Sequence, residues 1–297
     1  MSKESSPHIS VMLEEFLTFF SECKIDKFFE GTVGAGGHAF HLLTAHPEIH
    51  KYIGCDRDPV ALAIAGDLLS AWKEDVELVH DDYRHLDKIL DERGVKDVDG
   101  FFFDLGVSSM QFDLAEKGFS FSKEGPLDMR MDQRMPLTAE EIINRWPEKK
   151  LAEIFRDYGE EPRWRRAAHA IVEARRKQKI KTTTALASVI VQTLGRSKKT
   201  LHPATLIFQA LRIAVNEELE ALKEGLLKAI ERLSSGGRIG VISFHRLEDR
   251  IVKEFFKSAE REKRCRLLTK KPLVPTSQEI RRNPRARSAK MRFAEKI

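Results

Sequence analysis

Cysteine is scarce in this chain of 297 residues: Cys23, Cys55 and Cys265 stand alone and far apart. That spacing excludes a disulfide framework and a closely spaced thiolate metal site, and no metal is expected. Long apolar runs are missing too. Nothing approaches the roughly eighteen residues that a membrane span requires. The opening residues, Met1 to Pro7, are polar and lack the apolar core of a signal peptide. Cytoplasm is therefore the expected compartment, with no membrane partner. No internal repeat is present. What the chain has is charge, 33% of residues against 41% hydrophobic. That balance fits a well-charged globule with room for one large domain or two smaller ones.

The net charge of +5 hides an asymmetry. Lys263 to Ile297 hold twelve Lys/Arg and two Asp/Glu, whereas the first 262 residues hold 39 bases and 44 acids. A basic end on a mildly acidic body is the pattern of a segment that meets phosphate. A solvated tail without a partner is the plain alternative.

The densest motif is Glu30-Gly-Thr-Val-Gly-Ala-Gly-Gly-His38, with Asp56 twenty positions after Gly36. Lys27-Phe28-Phe29 before it reads as a short strand, and Ala39 to Ala45 after it as a helix. A strand, then glycines, then a helix lets backbone approach a ligand and aims free N–H groups at it. An acid ending the next strand, as Asp56 does, grips ribose hydroxyls in doubly wound sheets. Gly34-Ala-Gly36-Gly37 lacks the full dinucleotide spacing and suits a single nucleoside better than a pyrophosphate. His38 either touches the ligand or starts the helix.

Five apolar stretches read as buried strands: Lys27–Glu30, Tyr52–Cys55, Val76–Val79, Gly100–Phe103 and Arg238–Phe244. The first four alternate with helical patterns, which predicts a parallel sheet and an α/β fold. Asp58 and Pro59 mark a helix start, and the helix is expected over Val60–Trp72. From Asp104 to Arg238 no strand is visible. Amphipathic segments fill the gap near Ala139–Trp146, Lys149–Tyr158, Arg163–Lys177 and Thr184–Leu194. A loop of that length is implausible in a compact domain. A helical insertion domain is expected over 114–200, inside a discontinuous domain formed by 1–113 and 201–297. Pro203–Leu233 reads as one helix ending at Ser234-Ser-Gly-Gly237. Arg264–Thr269 and Ala289–Ala294 can close the sheet as an antiparallel hairpin, which separates a methyltransferase sheet from a dehydrogenase one.

Further chemistry gathers at strand ends. Asp104, in Phe103-Asp104-Leu-Gly-Val-Ser-Ser109, leaves the fourth strand where open α/β sheets place ligands. An acid there is costly without partners; a turn-forming role is the alternative. Gln111 and Asp113 can reach the same crevice. Tyr83, after Asp81 and Asp82 at the third strand's end, offers an aromatic face to an adenine. His245 emerges after the fifth strand in Ser243-Phe-His-Arg-Leu-Glu-Asp249, with no nucleophile beside it to activate. In the basic end, Asn283-Pro-Arg-Ala-Arg-Ser-Ala289 spaces Asn283, Arg285 and Arg287 for phosphate contacts. Arg175 and Arg176, in the helix near Arg163–Lys181, are further phosphate candidates.

Taken together these residues resemble the bacterial small-subunit ribosomal RNA cytosine-N4 methyltransferases, the RsmH or MraW family. The resemblance spans nearly the whole chain. It runs through His8–Glu14, Glu30–His38, Gly54–Pro59, Asp104–Ser109, Gly118–Phe121 and Gly125–Asp132. It continues through Tyr158–Glu160, His202–Thr205, Phe208–Ile213, Ser243–Val252 and Asn283–Ala289. Three departures stand out: Glu30 where the family usually has Asp, Ser10 in place of a common Pro or Thr, and Arg246 in place of the usual Ser. The resemblance implies a Rossmann-like methyltransferase sheet with a helical insertion and S-adenosyl-L-methionine as cofactor. It implies methylation of a cytidine amine in the decoding region of 16S rRNA, within the assembled small subunit. By motif position it implies cofactor contacts from Gly36, Gly37, His38, Asp56, Tyr83, Asp104 and Gln111. Asp104 and, more weakly, His245 are the residues expected at the reacting base.

Other classes fit less well. Carbon-5 methylation of cytosine needs a cysteine nucleophile near the fourth strand, and none is there. A nicotinamide dehydrogenase conflicts with the glycine spacing and the basic end. A non-enzymatic RNA-binding module with a degenerate nucleoside pocket is opposed by intact Gly36, Gly37, Asp56 and Asp104.

Overall fold

A computed structural model describes residues 9–106, 112, 114–195 and 202–297. The chain forms two compact units, residues 1–106 with 219–297, and residues 107–218. The insertion expected over 114–200 thus continues to Glu218.

The first unit is built on a seven-stranded sheet. Its strands are β1 (Lys27–Glu30), β2 (Lys51–Asp56), β3 (Val76–His80), β4 (Val98–Asp104), β5 (Leu233–Ser243), β6 (Cys265–Leu267) and β7 (Lys290–Lys296). Their spatial order is β3-β2-β1-β4-β5-β7-β6. β1 to β5 pair parallel, and β7 runs antiparallel to both β5 and β6. The expected α/β class and the closing antiparallel pair are both present.

Side-chain alternation along β4 explains why the sheet needs cover on both faces. Phe102 points to one side, with Phe28, Tyr52 and Phe293. There it meets α1 (Leu13–Phe20), α2 (Gly37–Ala45) and α3 (Pro59–Leu68). Phe101 and Phe103 point to the other, with Phe29 and Ile53. There they meet α4 (Leu86–Asp91), α10 (Glu218–Arg232) and α11 (Arg246–Arg261). Asp58 caps α3 by accepting from the Val60 N–H at 3.1 Å, and Pro59 takes the first helical position, as its sequence predicts. The first helix, α1, carries its apolar residues in a pattern too short to separate from a loop by periodicity.

Two expectations are corrected. The single helix expected over Pro203–Leu233 is two, α9 (Thr205–Asn216) and α10, broken where Glu217 turns left-handed at φ 50. A left-handed non-glycine residue ends a helix as a glycine would. And β5 begins at Leu233, before the turn signal. Between Val98 and Gly100 the β4–β5 register slips, and the expected Ser234–Gly237 turn is carried inside β5 as a bulge.

The second unit contains α5 (Ala139–Arg145), α6 (Glu148–Asp157), α7 (Trp164–Lys177), α8 (Thr183–Leu194) and α9. They share a core that includes Ile143, Phe155, Ile171, Leu186 and Leu211. The loop Gly125–Asp132 is packed against the helical core. Asn216 clamps it, donating to the Met129 carbonyl and accepting from the Met131 N–H, each at 2.8 Å.

Candidate active site

Parallel strands end on one rim, and the acids at those ends converge there. Glu30 ends β1, Asp56 ends β2 and Asp104 ends β4. Glu248, in the first turn of α11, brings a fourth carboxylate toward Asp104.

Asp104 is the least satisfied of them. Its backbone N–H donates to the Thr32 hydroxyl at 2.6 Å. Its Oδ1 is buried and has no hydrogen-bond partner among the described residues. Burial, reinforced by the Glu248 charge, pushes its carboxyl up to about 8. Its nearest basic group is His38, whose Nδ1 lies 3.8 Å from Oδ2. The His38 ring is wedged edge-on against Phe16 and Phe102 and is only 5% exposed. Its Nε2 lies 3.0 Å from the Val11 carbonyl. A carbonyl only accepts, so Nε2 carries a hydrogen.

Glu30 is buried beneath the rim. Its Oε2 accepts a short hydrogen bond from the Tyr52 hydroxyl, while its Oε1 has no partner among the described residues. Burial pushes Glu30 up to about 8; the Tyr52 bond opposes that, and the Asp104 and Asp56 charges add to it. Asp56 is better served. Its two oxygens accept from the Gly34 and Asp58 N–H groups at 2.8 and 2.9 Å. Burial still raises it, against those two bonds.

The glycines differ in what surrounds them. Gly36 caps α2 at φ 84, with Ala65 backbone 3.3 Å from where a Cβ would stand. A Cβ on Gly37 would lie 2.3 Å from the Ser10 hydroxyl. Both positions are therefore demanded by internal packing. Gly34 is the one that borders open space, with φ +53 and nothing within 4 Å of its Cβ position.

Tyr83 is also tied into packing. Its ring lies 5.2 Å from Phe103, under the Arg57 guanidinium, and is 8% exposed. A Cβ on Gly225 of α10 would meet the ring at 2.7 Å, so that helix rides against it. His245 also caps α11. Its Nδ1 accepts from the Glu248 N–H at 3.4 Å, and Glu248 returns the bond to the His245 N–H at 3.2 Å. Glu248 itself was not singled out in the sequence, although His245 with an acid three residues on is a capping-box signal. Gln111 and Asp113 lie outside the described residues.

Of the phosphate candidates, two are corrected. Arg175 donates to the Ile143 carbonyl at 2.7 Å, closing the end of α5. Asn283 is buried and donates to the Ile9 carbonyl at 3.1 Å. Arg176 is exposed and pairs with Glu173 on its own helix. Arg285 and Arg287 are exposed in a 3-10 turn, Pro284–Ser288.

None of the three thiols is prepared as a nucleophile. Burial raises Cys55 well above the ordinary thiol range, Cys265 to about 11, and Cys23 as well.

The sequence profile of the MraW methylase family matches residues 5–297. The chain belongs to the MraW methylase family. As a member of that family it is a methyltransferase. It is 48% identical to the ribosomal RNA small subunit methyltransferase H of Protochlamydia amoebophila, over 98% of each chain. It is 47% identical to the enzyme of that name from Persephonella marina, over 98% of this chain and 99% of the relative. A solved structure described as an rRNA-methylase from Clostridium thermocellum shares the fold at TM-score 0.50 and 15% identity, over 97% of this chain and 99% of that one.

Proposed function

We propose that this methyltransferase uses S-adenosyl-L-methionine to methylate N4 of a cytidine in the decoding region of 16S rRNA, within the assembled small subunit. The observation that carries the reading is Asp104: a buried carboxyl oxygen without a partner among the described residues, at the rim where the fold places ligands. Its surroundings fit a cationic cofactor. Two more carboxylates, Glu248 and Glu30, act on it, and no Arg or Lys among the described residues pairs with it. S-adenosyl-L-methionine, when bound, supplies a methyl group on a positively charged sulfur.

The chain's own groups then have defined tasks. Asp56 holds the Gly34 loop and keeps free lone pairs for ribose hydroxyls. Gly34 gives a ligand room to approach backbone, and Asp104 faces the cation. Gly36, Gly37 and Tyr83 shape the pocket from behind. A positive charge near Asp104 draws it toward its ionised form. Ionised Oδ1 accepts an N–H from the cytosine amine, favours a more tetrahedral nitrogen and takes up the released proton. His38, fixed by Val11 on its far nitrogen, lines the pocket beside Asp104. The target base must leave its stack to reach the rim.

The test is transfer of radiolabelled methyl to small ribosomal subunits that lack the modification, followed by nucleoside analysis. Label in N4-methylcytidine is expected. Label in 5-methylcytidine, or none in RNA, would overturn the reading.

A further inference from the structure

We propose that the turn running from α12 (Ser277–Arg282) through Ser288 is a rigid guanidinium platform that grips the phosphate backbone of the RNA substrate. The proposal rests on the RNA reading above and assigns a surface to it.

Internal pairing removes much of the charge in this basic end. Arg264 pairs with Glu262, Arg266 with Glu295, and both Lys290 and Arg292 with Asp249. Lys296 donates to the Glu231 carbonyl. Arg281, Arg282 and Arg287 are exposed and have no acid partner among the described residues, and Arg285 is exposed beside them. These four guanidinium groups thereby form a compact cationic cluster, separate in sequence from Lys263, Lys270 and Lys271.

That surface is held in place from below. Asn283 and Ala286 are buried, and the Ala286 N–H donates to the Asn283 carbonyl at 3.0 Å. Asn283 also holds the Ile9 carbonyl, and Glu279 accepts from the Met12 N–H at 2.6 Å. A turn fixed this way presents guanidinium groups with less ordering cost than a loose tail. Arginine's planar fork suits phosphate oxygens.

The same fastening joins the platform to the reacting rim. Ile9 to Met12 is the strand of chain that Asn283 and Glu279 hold, and its Val11 carbonyl binds His38, which faces Asp104. Backbone gripped here is held within a few residue contacts of the site where a splayed base must arrive. Such contacts position RNA and carry no sequence information.

The experiment measures binding of a labelled single-stranded 16S rRNA fragment to the full chain at several salt concentrations. Each lost phosphate contact lowers the slope of log K against log salt by about 0.7. The triple variant Arg281→Gln, Arg282→Gln, Arg287→Gln should therefore lower the slope by about 2. Between 50 and 200 mM salt the wild type should lose about twenty-fold more affinity than this variant. Cofactor affinity by calorimetry should not change, and the Lys triple at the same positions should keep the slope. An unchanged slope would overturn the proposal. So would an equal drop from Arg250→Gln, Lys257→Gln, Arg261→Gln on α11, which would mean diffuse attraction. Failure of the methylation reading looks different: no methyl transfer, with the platform's salt dependence intact.

Discussion

Buried acids have opposite fates in the two units. In the helical unit each is met by arginine. Asp128 binds Arg130 through both oxygens at 2.8 Å, and Asp132 binds Arg134. Glu161 binds Arg163, and Glu218 binds Arg212 at 2.8 and 2.9 Å. On the sheet rim Glu30 and Asp104 have no cation partner among the described residues beyond a histidine 3.8 Å from Asp104. The first pattern holds a fold together. The second leaves electrostatic cost unrelieved until a ligand arrives, which is how functional sites differ from structural networks.

Breaking a pair in the helical unit should have the largest effect on stability. Arg212→Met leaves Glu218 buried without its partner, and chemical denaturation should show a loss of about 3–5 kcal/mol. At the rim the loss is of binding instead. Asp56→Ala frees the Gly34 and Asp58 N–H groups and the ribose contact. Calorimetry should record at least about a hundredfold loss of cofactor affinity, roughly 2.7 kcal/mol, with RNA affinity retained. Parallel loss of both would contradict separate sites.

Gly37→Ala tests whether the glycine loop is packed or open. Its new methyl would sit 2.3 Å from the Ser10 hydroxyl, so a cost of about 1–3 kcal/mol is expected, partly restored by Ser10→Gly. Gly34→Ala has space and pays only for its left-handed backbone, about 1–2 kcal/mol.

The remaining effect is graded with pH and needs no substitution. Glu30 and Asp104 titrate near 8 in the folded chain, well above their ordinary 4.5 and 3.8. Between those limits the folded chain holds protons that the unfolded chain has lost. Stability is therefore greatest at the acid end of this window and falls as pH rises toward 8. The slope is at most about 1.4 kcal/mol per pH unit for each acid. Melting curves from pH 5 to 8 should show the decline, and Glu30→Gln should flatten it. A rise over that range would contradict unpaired rim acids.

Much of this was legible in the sequence, for physical reasons. Apolar runs such as Phe101-Phe-Phe103 mark strands covered on both faces, and Asp58-Pro59 states its cap directly. Asp104 stood out because an acid ending such a strand needs a reason. The break at Glu217 was not legible, because left-handed backbone at a non-glycine residue leaves no local signal. Nor was the fate of His245 or Asn283: the same side chain can meet a ligand or bond its own backbone, and only tertiary position decides. The packing demand on Gly36 and Gly37 was not legible, because Ala65 and Ser10 approach from distant parts of the chain.

The most direct test is Asp104→Asn, with methyl transfer and melting temperature measured on the same sample. The isosteric amide removes the proton acceptor and also an acid whose ionisation burial opposes. Transfer should fall about a hundredfold or more, while the melting temperature holds or rises. Undiminished transfer, or loss of stability alongside activity, would contradict an Asp104 kept unpaired for the reaction.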